Sequence, residues 1–273
     1  MRRIGAAILF VLCAGTPASA TWSVIALDQK TGAVIIASAT CVAQKNIAGF
    51  PAKDLRDIQA IVVPGKGVAA AQAGVDRTRA NQKLIFAELE KGTDPARILD
   101  MLRQDPDIES RQFGILDMQG RHANFDGAKN SIASLHEVGN VPGTGIWYSI
   151  QGNILASDNV VHAAAAAFEV TRGTLADRVM AAMEAADGRG GDRRCTCDSE
   201  PKVDAPCDAK TAHVAYILQA GRADRNGASF NDGRYAMYLS VTNDDIKPTE
   251  NANPVKTLRM RYDAWKRAHS ASQ

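Results

Sequence analysis

The apolar positions of this chain fall into short extended runs and longer helical ones. Residues 22–27 and 33–38 are apolar stretches of strand length. Between them Asp28-Gln29-Lys30-Thr31-Gly32 carries turn chemistry, so the pair predicts a hairpin. A second pair lies at 60–63 and 68–72, divided by Pro64-Gly65-Lys66-Gly67. The small side chains of Ala69, Ala70 and Ala71 mark the later run as a close-packed central strand. Residues 81–91 then place Leu84, Ile85 and Leu89 at helical spacing and stop at Gly92. Asp94-Pro95 caps a further helix whose apolar side chains are Ile98, Leu99 and Leu102. Residues 112–117 and 121–125 flank Met118-Gln119-Gly120 as another hairpin, and 147–150 predicts one more strand.

A second pair of helices follows. Residues 159–170 are alanine-rich, and Thr174 with Asp177 resembles a capping box opening a helix to about Ala186. Strands are predicted at 213–218 and 235–240, and a helix at 254–269 with Leu258, Tyr262 and Trp265 in one stripe. That stripe reads as a docking face and is a candidate interface for a homo-oligomer. The irregular stretches are 195–211 and 242–253. Blocks of strands and blocks of helices in this order predict an α+β fold rather than a parallel α/β sheet. Two stacked sheets with a helical layer on each outer face account for the order, in one domain over 21–273.

The first twenty residues change the picture. Arg2-Arg3, the apolar run 4–15 and the small-x-small site Ala18-Ser19-Ala20 read as a secretory signal peptide (1–20) cleaved before Thr21. The run is shorter than the roughly 18 apolar residues of a membrane span, so no membrane anchor is expected. A periplasmic or secreted location is expected. The full chain has 32 basic and 30 acidic side chains. Two of the basic ones sit in the leader, so the mature chain is balanced, and composition offers no grip for nucleic acid. Cys41, Cys195, Cys197 and Cys207 follow the leader, and in an oxidising compartment they are disulfide candidates. Cys195 and Cys197 are too close for an easy mutual bridge, so one of them is expected to pair with Cys207. The three possible pairings stay open. A zinc site from Cys195, Cys197, Cys207 and His213 is the alternative, but C-x-C lacks the usual ligand gap, and no metal and no cofactor is expected.

Cleavage before Thr21 would place a free α-amine beside a hydroxyl. A hydroxyl needs a nearby base to attack at neutral pH. An α-amine, with an ordinary pKa of about 7.7–8.0, can take that proton directly or through a water. One residue would then supply both nucleophile and base.

Three stretches occur in order: Thr21-Trp22-Ser23-Val24-Ile25-Ala26-Leu27-Asp28, Gln151-Gly152-Asn153-Ile154-Leu155-Ala156, and Gly190-Gly191-Asp192-Arg193-Arg194. Together they resemble the bacterial domain of unknown function 1028 family, whose members typically begin T-[FW]-S-[IV]-V-A and carry QGN-[IM]-L and GGDRRG. The resemblance runs from Thr21 to about Pro254. That family resembles the N-terminal nucleophile (Ntn) hydrolases, which implies a four-layer αββα sandwich and an amide or related acyl bond as the target. The resemblance implies that Thr21 is nucleophile and base. Asn153 would be a donor to the oxyanion or substrate, a role that can lower a barrier by about 2.7–4 kcal/mol. Asp192 would orient or charge-stabilise the α-amine. Arg193 would hold Asp192 or bind a substrate carboxylate, and Gln72, matching a family glutamine, would face the site. The expected partner is a small-molecule or peptide-like substrate.

Other readings stand beside these. Asn153 can be a turn residue, and Asp192 with Arg193 a structural ion pair. Relatives often carry a basic residue where this chain has Ala39, with Lys45 and Lys53 as substitutes from the next loop. The cysteine-bearing insertion 195–211 is a lid or a stapled surface loop. A non-catalytic periplasmic binding or cell-envelope protein is the alternative function, and a Cys41 or Cys197 nucleophile a third.

Overall fold

The computed structural model describes residues 21–270. The expected leader lies outside the described residues, as do 271–273. The chain opens with β1 (Thr21–Asp28) and β2 (Ala33–Thr40), paired antiparallel through the predicted hairpin. Two short helices, α1 (Gln44–Ile47) and α2 (Leu55–Gln59), lead to β3 (Ala60–Val63) and β4 (Gly67–Ala73). Then come α3 (Ala80–Lys91), α4 (Pro95–Leu102), β5 (Arg111–Asp117), β6 (His122–Asp126), β7 (Leu135–Val141) and β8 (Ile146–Asn153). The chain closes with α5 (Asn159–Val170), α6 (Leu175–Gly188), β9 (Val214–Ala220), β10 (Met237–Thr242) and α7 (Pro254–Ser270).

The strands form two antiparallel sheets. One has six strands in the order β10-β9-β2-β1-β8-β7, and the other has four in the order β3-β4-β5-β6. The alanine-rich β4 is central in its sheet, as its small side chains predict. β1 is central in the larger sheet, and its alternation sends side chains to two different cores. Trp22, Val24 and Ala26 join a core with Phe168, Val179 and Leu258 of α5, α6 and α7. Ile25 and Leu27 join a second core with Val34, Ile36, Val62, Val68 and Leu116, between the sheets. A third core packs Ile85, Leu89, Ile98 and Leu102 of α3 and α4 against Ile61, Ala69, Phe113 and Ile115.

Helix signals in the sequence reappear as geometry. Asp94 caps α4 through Ala96 N, with Pro95 in the first turn. Thr174 and Asp177 make the reciprocal capping box of α6. Some elements had no sequence signal, among them α1, α2 and β7. α1 and α2 have four and five residues, too short for helical periodicity to register. β7 is an edge strand of half-buried side chains and shows no alternation. No described helix is long and apolar enough to cross a membrane.

Candidate active site

Thr21 starts β1 between two neighbours. The register sets it opposite Thr40 of β2 and Asn153, the last residue of β8. Asn153 is fully buried at the last position of its strand, directly before the bend at Ile154. Strand parity explains what gathers here. The face of β1 that carries Ile25 and Leu27 into the inter-sheet core carries Ser23 and Thr21 at its other end. The layer between the sheets is thus apolar at one end and polar at the other.

Gln72 of β4 is the hub of the polar end. Its Oε1 accepts from Ser23 Oγ at 2.7 Å and from Gln59 Nε2 at 2.7 Å. Its Nε2 donates to the Thr21 carbonyl oxygen at 3.1 Å and to Gln112 Oε1 at 2.7 Å. Gln112 Nε2 in turn donates to the Gly152 carbonyl at 2.8 Å, and Tyr216 OH donates to Gln59 Oε1 at 3.2 Å. Each amide is oriented by opposed partners, so the backbone at Thr21 and at Gly152-Asn153 is held from the facing sheet. The Thr21 hydroxyl donates to Thr40 Oγ1 at 3.2 Å.

The three stretches that carry the family resemblance converge on this end. Ala156 N donates to the Gly191 carbonyl at 3.0 Å, and Leu155 bridges Asp192. Gly191 has a φ of +43°, and a Cβ there would come within 2.6 Å of the Trp22 ring, so only glycine lets this turn lie against β1. Asp192 is fully buried. Its carboxylate accepts from Cys41 N at 2.9 Å, from Arg194 N at 3.1 Å, and from Arg194 Nε and Nη2 at 3.0 and 2.8 Å. It therefore reaches the residue after Thr40, and its bonds go there rather than to Thr21. The guanidinium that holds it belongs to Arg194. Arg193, expected in that role, is exposed; its backbone N donates to the Ile154 carbonyl at 3.4 Å.

Ala39 lies in the helix-side core, on the face of β2 opposite Thr40. Lys45 pairs with Glu200 at 2.7 Å, and Lys53 is exposed. The cysteines form two disulfides, Cys41–Cys195 and Cys197–Cys207, which fit a chain that matures in an oxidising compartment. Neither Cys41 nor Cys197 is then a free thiol for nucleophilic attack. The sulfurs of Cys41 and Cys195 lie with a His213 nitrogen within 4.8 Å of one another, a different grouping from the one the sequence suggested, and both sulfurs are spent on the bond. The stretch 195–211 is tied down at two places. The Cys197–Cys207 bond closes it, and Lys210 Nζ donates to the carbonyls of Ser199 and Glu200 at 3.1 and 2.6 Å.

A narrow cleft reaches Thr21. Thr21, Thr40 and Gln72 line one end, and Phe50, Leu55 and Ile58 line its apolar wall. Its volume is about 20 Å³, space on the scale of one water. Sequence reading missed Thr40, Gln59, Gln112 and Arg194. Parity relative to Thr21 would have pointed to Thr40; the glutamines come together only through the fold.

The model of a family of unknown function, DUF1028, matches residues 21–200. Among solved structures, the chain is similar to the crystal structure of protein SPO2555 from Silicibacter pomeroyi, itself described by that family model. The TM-score is 0.63 at 22% identity, covering 90% of this chain and 89% of that one. No curated protein matches.

Proposed function

Because the chain belongs to the DUF1028 family, whose name assigns no reaction, we propose its function from the site: an exported N-terminal-threonine hydrolase that cleaves an amide or related acyl bond. We read the two facing sheets with their outer helices as the αββα sandwich of the Ntn hydrolases. The observation that carries the proposal is the place of Thr21. It begins a central strand, flanked by Thr40 and Asn153, and lines a cleft.

In this mechanism cleavage after Ala20 frees the Thr21 amine. The amine takes the Oγ1 proton, through a water where the geometry requires one, as Oγ1 attacks the substrate carbonyl. The Asn153 amide donates to the developing oxyanion. The proton then passes to the leaving amine, the C–N bond breaks, and an ester to Thr21 remains. Water, deprotonated by the same amine, releases the acid and restores the hydroxyl. Gln72 keeps the Thr21 backbone in place, and Asp192 fixes the end of β2 beside it. The test compares processed wild type with Thr21→Ala and Thr21→Ser on a panel of acyl p-nitroanilides. Turnover that survives Ser and disappears with Ala supports the mechanism. Turnover unchanged in Thr21→Ala contradicts it.

One observation favours a second reading, a non-catalytic binding protein on the same fold. Thr21 is only 4% exposed, and the cleft beside it is small. That reading predicts ligand binding that is indifferent to Thr21→Ala, with no turnover in wild type.

A further inference from the structure

The narrow cleft adjoins a much wider cavity of about 420 Å³, and Val42 and Phe50 line both. The wider cavity is lined by Lys45, Arg77 and Arg194, and no carboxylate is among its lining residues. Its three cations differ in what they have left to offer. Lys45 is paired with Glu200 at 2.7 Å. Arg194 is paired with the buried Asp192 at 2.8 Å. Arg77 forms no ion pair with any described carboxylate. Its Nη1 donates to the Gly49 carbonyl at 2.8 Å, and its guanidinium lies 5.3 Å from the Phe50 ring centroid. The neighbouring Asp76 is turned to its own loop, accepting from Thr78 N and Asn81 N at 2.9 and 3.0 Å. Arg77 is therefore held in place by a carbonyl and a ring while its charge is unmatched. This is the arrangement that receives a planar anion at small entropic cost.

The two cavities divide a substrate by size and charge. The space beside Thr21 is small, and the wide cavity next to it has room for a larger group bearing an anion. We propose, resting on the hydrolase reading, that the substrate class is an N-acyl amino acid whose carboxylate is bound in this basic cavity by Arg77. The acyl carbonyl would reach Thr21 through the cleft. Thr21 Oγ1 attacks that carbonyl, the C–N bond breaks, and the free amino acid leaves carrying the Oγ1 proton; water then cleaves the Thr21 ester, so that the acyl group leaves as an acid and the hydroxyl is restored.

The test measures binding in the processed Thr21→Ala protein, so that turnover cannot interfere. The probes are N-acetyl-L-leucine and its uncharged carboxamide, followed by calorimetry. The carboxylate is expected to bind about tenfold more tightly than the carboxamide, the scale of one charge-assisted bond at a partly exposed site. Arg77→Gln is expected to abolish that preference, Arg77→Lys to restore part of it, and Arg97→Gln, an exposed arginine of α4 that lines neither cavity, to leave it intact. Equal affinity for the two probes, no binding of either, or a preference that survives Arg77→Gln overturns the inference. The hydrolase reading is judged separately, on wild type. Carboxylate preference without turnover upholds the cavity assignment and defeats the hydrolase. Turnover with no such preference does the reverse.

Discussion

Thr21 and Thr40 meet hydroxyl to hydroxyl, 3.2 Å apart, across the first register pair of the β1–β2 hairpin. Thr40 Oγ1 also accepts from Val42 N at 3.2 Å, so the side chain that receives the Thr21 hydroxyl is itself fixed by the backbone leaving β2. If Thr21 is the nucleophile, Thr40 is a positioning residue that selects its rotamer.

Thr40→Val keeps the shape and removes the hydroxyl. In the hydrolase account kcat falls roughly tenfold, the scale of about 1.4 kcal/mol in a barrier, while KM changes little. Steady-state kinetics on any substrate found by the panel check this. A fall confined to KM would place Thr40 in substrate binding instead.

Gln72→Leu removes the hub of the amide network. It leaves Ser23 Oγ, Gln59 Nε2, the Thr21 carbonyl and Gln112 Oε1 each short of a partner. A buried polar group stripped of its partner costs about 1–3 kcal/mol. The expected loss of stability in urea denaturation is about 2–4 kcal/mol, after partial relaxation. A neutral result would mean that the glutamines rearrange freely.

The Cys41–Cys195 disulfide joins segments 154 residues apart and brackets the Asp192 contact to Cys41 N. Replacing both cysteines by alanine is expected to cost about 2–5 kcal/mol. It should also raise hydrogen exchange at residues 190–195 while leaving α3 and α4 protected. Uniform loss of protection would show that the bond holds the whole domain rather than this corner.

His213 gives a pH signature. Burial first, and the nearby Lys210 charge second, push its imidazole down to about 4 from 6.5. The unfolded chain, titrating near 6.5, binds the proton more readily than the folded one. The stability tied to neutral His213 is therefore fully present above pH 6.5 and is lost as pH falls from 6.5 toward 4. His213→Phe should flatten that part of the profile. Urea denaturation of both proteins at pH 7.5 and pH 4.5 reads the difference, and identical slopes would contradict the assignment.

Much of this architecture was legible along the chain, for stated reasons. Residues 28–32 mark a turn between two apolar runs, and Thr174 with Asp177 mark the start of α6. Each signal is local, made by residues that touch each other in the fold. β7 escaped because an edge strand with half-buried faces need not alternate. The site was legible only where one residue carries the chemistry, as at Thr21, or where a resemblance carried it, as at Asn153 and Gln72. Gln59 and Gln112 lie 13 and 40 residues from Gln72, and nothing in their neighbourhoods foretells that the three meet. The choice between Arg193 and Arg194 was equally hidden. It depends on the turn that follows Gly190-Gly191, which leaves Arg193 exposed and brings Arg194 back to Asp192.

The central claim is that Thr21 acts with its own amine, and N-terminal sequencing with intact mass tests it most directly. The protein should be recovered from the periplasm of the cell that exports it. The account predicts a chain that begins Thr-Trp-Ser-Val, with the mass of residues 21–273 and two disulfides. A chain that begins elsewhere, or that keeps its leader, would contradict it, because Thr21 would then have no free amine.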